Sequence, residues 1–376
     1  MNKKRIFKLL NQAATILIVL LFVANIYCHF SRIPGIPDNH DWPPVKKPLR
    51  YPQDIRILPP PPENIPYTEE ELDTAINFLN LPTWSRSYVH CSNPESEVTC
   101  SQVILAYRTI KGWEDHISSI PLENRKYFVI KHPIKGMGNK MTTDINGFTM
   151  ALMSNRSALV LSNFPSKDKL IYEHAYKYPS SVLTNLSQIP EQLHKHTRHF
   201  LQIPTDPRWG CFDVNRLLFS DNQFVGMDNL LYGSMVYVNK HTSEFASAHF
   251  GAHCAYFVGN YFSRFPDSAI QTAQELLQLV PPNQRVLGLH IRYHRAGQYY
   301  SHGFNQTMPI VYEEVDRTLA KEDLMLAVAT DNPDIKKMMI ERYGKRVLMT
   351  DVLRKPDKDH FGAQSDMALI LGSDEI

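Results

Sequence analysis

The chain has 376 residues, of which 43% are hydrophobic and 21% charged, and its formal net charge is +2. These values are typical of a globular protein with room for two domains of ordinary size. A nearly neutral chain without a long basic run argues against nucleic acid as its main partner.

The N-terminus has the pattern of a membrane signal anchor. Lys3, Lys4 and Arg5 precede an uncharged stretch from Leu9 to Cys28. At helical rise this stretch spans ~30 Å, the thickness of a bilayer core, and the basic residues favour a cytosolic N-terminus. A cleaved signal peptide is the alternative, but no small-x-small cleavage site ends the segment. Either interpretation places the rest of the chain in the secretory lumen.

A proline-rich segment follows the anchor and contains the run Pro59 to Pro62. Such a sequence builds neither a helix nor a sheet ladder and is expected to be extended. The predicted order is a cytoplasmic tail (1–8), a transmembrane segment (9–28), a stem (29–66) and two lobes (67–280 and 281–376). This is the layout of a single-pass type II protein.

The cysteines fit an oxidising compartment. Four of the five lie beyond residue 28 and permit three pairings, of which we prefer Cys91–Cys100 because it closes a short loop. A zinc site is the weaker alternative, since no CxxC spacing is present. Sequons at Asn185 and Asn305 are plausible glycosylation sites, whereas Asn155 ends a predicted core helix and is expected to be unused.

The first lobe begins with a capping-box pattern at Thr68–Glu71, which predicts a helix. Periodicity then predicts a helix around Ser101–Trp113, a strand at Tyr127–Ile130, a helix at Lys140–Ser154 and a strand at Ala158–Leu161. The middle, from 163 to 282, is less regular, with one helix around Ser268–Leu279 and Asp267 as its candidate cap.

After Pro282 the pattern alternates between strands and helices. Strands are predicted at Val286–Ile291, Leu324–Ala329 and Val347–Met349, and helices at Pro309–Leu319, Pro333–Arg342 and Gln364–Gly372. This alternation predicts an α/β protein with parallel sheets and crossover helices.

Two segments carry candidate binding chemistry. An apolar strand leads into His290 and Arg292, and ligands of open α/β sheets lie beyond the carboxyl ends of the strands. Arg292 offers a planar fork for phosphate, although a solvated loop residue is an equal alternative. Gly136, Gly138 and Asn139 precede a helix whose N-terminus favours anions, but an ordinary tight turn explains this glycine pair equally well.

Three acidic positions complete the candidate site and its alternatives. Asp331 follows a strand and is expected to cap the next helix, with a ligand contact in addition. Asp366 lies in the last predicted helix, facing either the same cleft or solvent. Asp357 and Asp359 form a D-x-D pattern in a polar loop, and metal sites need rigid placement, so we expect no metal ion.

Together these segments resemble the GDP-fucose-using glycosyltransferases with two Rossmann-like lobes, in particular the α1,2-fucosyltransferase branch related to plant xyloglucan fucosyltransferases. The resemblance is carried by Gly136 through Arg156, Val286–Arg292, Ala329–Asp331 and Asp366–Ile376. The resemblance covers roughly Tyr127 to the end of the chain, and few residues in the middle of that range contribute to it.

The resemblance implies a GT-B architecture, with an acceptor-side lobe at 67–280 and a GDP-sugar-binding lobe at 281–376. His290 and Asp366 would bracket the guanine, and Arg292 would bind the β-phosphate and serve as the catalytic residue. Gly138 and Asn139 would shape the nucleotide and fucose cleft. The reaction would be an inverting, metal-free transfer of fucose to a glycan, without a cofactor.

The chain departs from the family in two ways. Relatives often carry an acidic residue soon after the arginine, where this chain has Tyr293 to Gly297. The family also continues beyond the position of Ile376 with a strand and a donor-binding loop, so we expect an incomplete second lobe with weak activity. The alternatives are an α1,6- or peptide O-fucosyltransferase and a non-catalytic protein that binds sugar nucleotides or glycans. The expected location is the Golgi membrane, with a luminal catalytic domain.

Overall fold

The computed structural model describes residues 65–132, 137–162, 177–198, 200–203, 213–228, 239–291, 304–330, 332–350 and 360–374. The predicted tail and transmembrane segment, and the stem up to residue 64, lie outside these ranges. Within them, every helix is too short or too polar to cross a bilayer.

Helices and strands alternate along both lobes. Helices α1 to α10 span, in order, Glu69–Phe78, Cys100–Ser119, Met137–Met153, Asn215–Leu218, Lys240–Phe250, Cys254–Phe262, Asp267–Leu277, Phe304–Leu319, Pro333–Tyr343 and His360–Leu371. Strands β1 to β7 span Tyr127–His132, Ser157–Ser162, Leu201–Gln202, Phe224–Asp228, Arg285–Ile291, Leu324–Thr330 and Val347–Leu348.

The strands form two parallel sheets, with the orders β2-β1-β4-β3 and β5-β6-β7. Each parallel pair needs a crossover, which the intervening helices supply. The predicted α/β class with parallel sheets is therefore confirmed.

The first sheet packs its helices on one face. Phe128 and Ile130 of β1 lie in a core with residues of α2, α3, α5 and α6. Gly147 permits the close approach of α3 to β1, because a Cβ atom there would lie 2.6 Å from Ile130 Cγ1. Tyr127 and Val129 point to the other face, where they pack against residues of two short 3-10 turns, at Leu186–Gln188 and Glu191–Arg198.

The second sheet has helices on both faces. Val286, Ala327 and Ala329 pack with residues of α7 and α10, whereas Leu326 and Val328 pack with residues of α8 and α9. Alternate residues of these strands therefore face opposite layers. Helix α7 precedes the predicted lobe boundary at residue 280, yet it packs against this sheet.

A segment before α2 joins the two lobes. The Arg86 guanidinium donates from Nε to Asp374 Oδ2 at 3.0 Å and from Nη2 to the carbonyl oxygen of Gln284 at 2.7 Å. Asp374 Oδ2 also accepts the backbone N–H of Val286 at 2.7 Å. The nearby Trp84 packs against the core of the second sheet. These contacts lie at the amino end of β5, opposite the edge where ligands bind such sheets.

Several sequence predictions hold and others need correction. Thr68 caps α1 as predicted, accepting from the Glu71 N–H at 3.1 Å. The preferred Cys91–Cys100 disulfide is present. Asp267 is the first helical residue of α7 and not its cap, because the cap position belongs to Pro266.

The prediction that Asp331 caps α9 is wrong. Asn332 occupies the position expected for Asp331, and its side chain accepts from the Asp334 N–H at 2.8 Å. Asn332 leaves Pro333 at the first helical position, where a missing N–H costs least. Helix α8 begins at Phe304, before the predicted start, and contains Pro309 in its interior.

Candidate functional site

The carboxyl edge of the second sheet is the first part of the candidate site. The parallel register pairs His290 with Ala329 and Ile291 with Thr330, so β5 and β6 end side by side. Arg292 and Asp331 follow these strand ends in sequence and lie outside the described residues. Thr330 is buried, and its Oγ1 accepts from the N–H of Asn332 at 3.2 Å.

His290 and Asp366 lie on the same side of this sheet. His290 lies four residues after Val286 on β5, and Val286 packs with α7 and α10. Because strand side chains alternate, His290 projects from the face that α10 covers. It is exposed there.

Asp366 is held inside the protein. It is 1% exposed, and Thr350 Oγ1, after β7, donates a hydrogen bond to its Oδ1. Lys336 donates from Nζ to the Thr350 carbonyl oxygen at 3.0 Å. The described structure thus gives Asp366 a role in joining α10 to the end of β7, while its predicted contact with guanine stays a prediction.

The glycine-containing turn of the first lobe is only partly described. Gly138 and Asn139 belong to the first turn of α3, whereas Gly136 lies outside the described residues. The helix begins at Met137, before its predicted start at Lys140, so Gly138 and Asn139 lie inside it and not before it. Anion binding at this helix N-terminus stays a prediction.

Arg156, part of the segment that carries the resemblance, is structural. It is 0% exposed and donates to the carbonyl oxygens of Leu218, Ser220 and Asn222 at 2.8–2.9 Å. Burial lowers its pKa to about 10. The side chain fixes the turn before β4 and is not available to a ligand.

A buried network at the carboxyl end of β1 is the part that the sequence analysis missed. His132 Nε2 lies 2.6 Å from Asp144 Oδ1, and the two residues are 5% and 0% exposed. The Tyr178 hydroxyl donates to Asp144 Oδ2 at 2.8 Å. Both carboxylate oxygens are therefore engaged, and Asp144 fixes the imidazole of His132 in place.

Lys140 adds a titratable group to this network. It is 1% exposed, one helical turn before Asp144 on α3. Burial lowers the pKa of its amine to about 7, and the charge of Asp144 partly opposes this shift. Histidine, carboxylate and amine thus lie near the end of a parallel strand, an arrangement that can accept and hold a proton.

The sequence contains a signal for this network. His132 ends the apolar run of β1, and Lys140 and Asp144 are spaced i, i+4, which places them on one side of α3. A polar residue at a strand end and two charges in an otherwise uncharged helix together indicate a buried cluster.

The described ranges contain one grouping of three potential metal ligands, His90, Cys91 and Cys100. Both of its cysteines form the disulfide, so their sulfurs are not thiolate ligands. Asp357 and Asp359 lie outside the described residues, and the expected metal-free reaction stays a prediction.

Comparisons with known proteins give limited information. No family model matches the chain, and no curated protein is significantly similar to it. Among solved structures, a mutant of Arabidopsis thaliana FUT1 in complex with GDP is 13% identical with a TM-score of 0.45, over 84% of this chain and 75% of that one. NodZ alpha-1,6-fucosyltransferase soaked with GDP-fucose is 8% identical with a TM-score of 0.40, over 66% of this chain and 84% of that one. Both TM-scores are too low to establish a shared fold or activity.

Proposed function

We propose that this chain is a fucosyltransferase that moves fucose from GDP-fucose to a glycan acceptor with inversion, forming an α1,2 linkage. The observation that carries the proposal is the edge of the second sheet where β5 and β6 end in register, with His290 exposed on β5 and Arg292 and Asp331 next in sequence. The order of these residues matches the motifs on which the family resemblance rests.

The proposed chemistry is a direct displacement at the anomeric carbon. As the bond from this carbon to the β-phosphate oxygen breaks, negative charge develops on GDP, and a guanidinium at position 292 would stabilise it. A cation supplied by the protein would take the place of a metal ion. The acceptor oxygen attacks from the opposite side of the sugar, which inverts the configuration.

We further propose a type II orientation in the Golgi membrane, with residues 9–28 as the anchor and both lobes in the lumen. The basic residues before this segment and the disulfide between Cys91 and Cys100 support the proposal. Disulfides persist in the secretory pathway and are rare in the cytosol.

The test is transfer from radiolabelled GDP-fucose to a panel of glycans and glycopeptides, with and without EDTA. We expect transfer that survives the chelator and a fall of about a hundredfold or more in kcat for Arg292→Ala. Arg292→Lys should recover little, because an ammonium lacks the planar fork.

The matched control is Arg285→Ala, at the opposite end of β5, where Arg285 pairs with Glu322 on the surface at 2.9 Å. This variant should keep normal transfer. Loss of activity in EDTA that manganese restores would refute the metal-free mechanism. Binding of GDP-fucose without transfer to any acceptor would refute the enzyme and favour a binding protein, and linkage analysis of the product would test the α1,2 assignment.

A further inference from the structure

We infer that His132 is the base that takes the proton from the acceptor hydroxyl. The inference rests on the proposed function, in which the first lobe binds the acceptor. An attacking hydroxyl must lose its proton as its oxygen bonds to the sugar, and a histidine held by a carboxylate is a common residue for this step.

The first argument is the position of the ring. His132 is the last residue of β1, an inner strand of the first sheet between β2 and β4. Ligands of parallel sheets bind beyond such carboxyl ends. The first turn of α3, with Gly138 and Asn139, lies a few residues further along the chain.

The contacts of Asp144 impose a protonation pattern on the His132 ring. Asp144 accepts from both sides, from Tyr178 through Oδ2 and from the ring through Oδ1. His132 Nε2 must therefore carry a hydrogen, which leaves the lone pair of the neutral ring on Nδ1. Nδ1 makes no hydrogen bond within the described part of the chain. In its neutral form, an imidazole whose Nδ1 accepts no hydrogen bond from the described residues and whose Nε2 donates to a carboxylate is arranged as a base.

The step balances without another reactant. The acceptor oxygen forms a bond to the anomeric carbon while the bond from this carbon to GDP breaks with its electron pair. The hydroxyl proton moves to His132 Nδ1, and Asp144 stabilises the imidazolium that forms. The low exposure of both residues strengthens this pairing, because little water screens it. The proton then leaves to solvent with the product.

A purely structural pair that joins β1 to α3 is the competing explanation. His132→Gln distinguishes a base from a structural residue, because the glutamine amide can still donate to Asp144 but has no basic nitrogen. We expect the full-length variant to keep its melting temperature and its KM for GDP-fucose and to lose about a hundredfold or more in kcat. The control is His249→Gln: His249 lies within 3.1 Å of the Thr109 hydroxyl on the helical side of this lobe, and its variant should transfer normally.

The pH dependence tests the inference without altering His132. Asp144 contacts the ring, and Tyr178 and Lys140 both interact with Asp144. Transfer by the wild type should fall in acid, because a general base acts only in its unprotonated form. The pKa of Lys140 is lowered to about 7, so the profile is repeated in Lys140→Met, where the fall must persist.

The outcomes separate the two proposals. If the wild type transfers fucose and His132→Gln does so at a similar rate, or if the acid fall is lost in Lys140→Met, His132 is not the base and the proposed function stands. If His132→Gln unfolds, the pH profiles decide: a wild-type rate that is constant over about pH 5 to 8 overturns the inference. If the wild type transfers no fucose, both proposals fail.

Discussion

Replacing Arg156 tests the assignment of a conspicuous charged residue to the fold. Its guanidinium is 0% exposed, and its three nitrogens donate to the carbonyl oxygens of Leu218, Ser220 and Asn222, with a longer contact of 3.5 Å to that of Gln223. Its own carbonyl oxygen accepts from Trp113 Nε1 at 3.1 Å. Arg156→Met keeps most of the side-chain volume and removes all three donors.

The expected cost follows from these contacts. A hydrogen bond from a charged donor contributes about 1.5–3 kcal/mol, and each buried carbonyl left without a donor costs about 1–3 kcal/mol. The variant also avoids burying a cation, a cost that is evident in the lowered pKa of Arg156. We therefore expect the free energy of unfolding to fall by about 3–5 kcal/mol, a large fraction of the stability of a domain.

Urea unfolding followed by tryptophan fluorescence measures this loss. The control is Arg317→Met: Arg317 is half exposed, pairs with Glu314 on the surface of α8, and should cost less than about 1 kcal/mol. Transfer per folded molecule should be unchanged in Arg156→Met. A variant as stable as the wild type, or one that folds normally and loses transfer, would show that the structural assignment is mistaken.

Two further predictions concern Lys140 and the start of the folded domain. The folded-state pKa of Lys140 is lowered to about 7, so above pH 7 the unfolded chain binds more protons than the folded protein. The stability of the wild type relative to Lys140→Met should therefore rise by up to about 1.4 kcal/mol per pH unit between pH 7 and 9. Parallel curves of stability against pH for the two proteins would contradict the lowered pKa. Deleting residues 1–63 behind a cleavable signal should give a secreted, stable domain. Deleting residues 1–66 should lower the melting temperature of that domain, because Ile65 is buried and the Pro66 carbonyl oxygen accepts from Arg108 at 3.0 Å. Equal melting temperatures for the two deletions would place the start of the folded domain after residue 66.

Elements with strong local signals could be predicted from the sequence. The strands around Val129 and Leu326 are continuous apolar runs, and Thr68 has the spacing of a helix cap. Strand β4 was missed, although it pairs with the centre of the first sheet. It is short and contains Gly226, which is required because a Cβ atom there would lie 2.2 Å from the Val129 carbonyl oxygen. That requirement exists only once the strands are paired.

The candidate site shows the same division. The predicted contact of His290 and Asp366 with guanine stays a prediction. Strands β5 and β6, which the structure pairs in parallel, follow from the strand pattern. The partners of individual side chains do not follow from it. Asp144 contacts Tyr178 across 34 residues of chain, and Thr350 binds Asp366 from a different element. Such pairs depend on how the elements pack, which periodicity does not encode.

The link from Arg86 to Asp374 has a consequence for biosynthesis. The two residues are separated by 288 positions, so a ribosome adding about 5–20 residues per second needs roughly 15–60 s between them. During that interval the first lobe can fold, but Trp84 and Arg86 have no second sheet to receive them. Until then Trp84 lacks this apolar partner surface in the nascent chain and is open to a chaperone. Docking of this early segment can follow only after α10 and Asp374 have been synthesised.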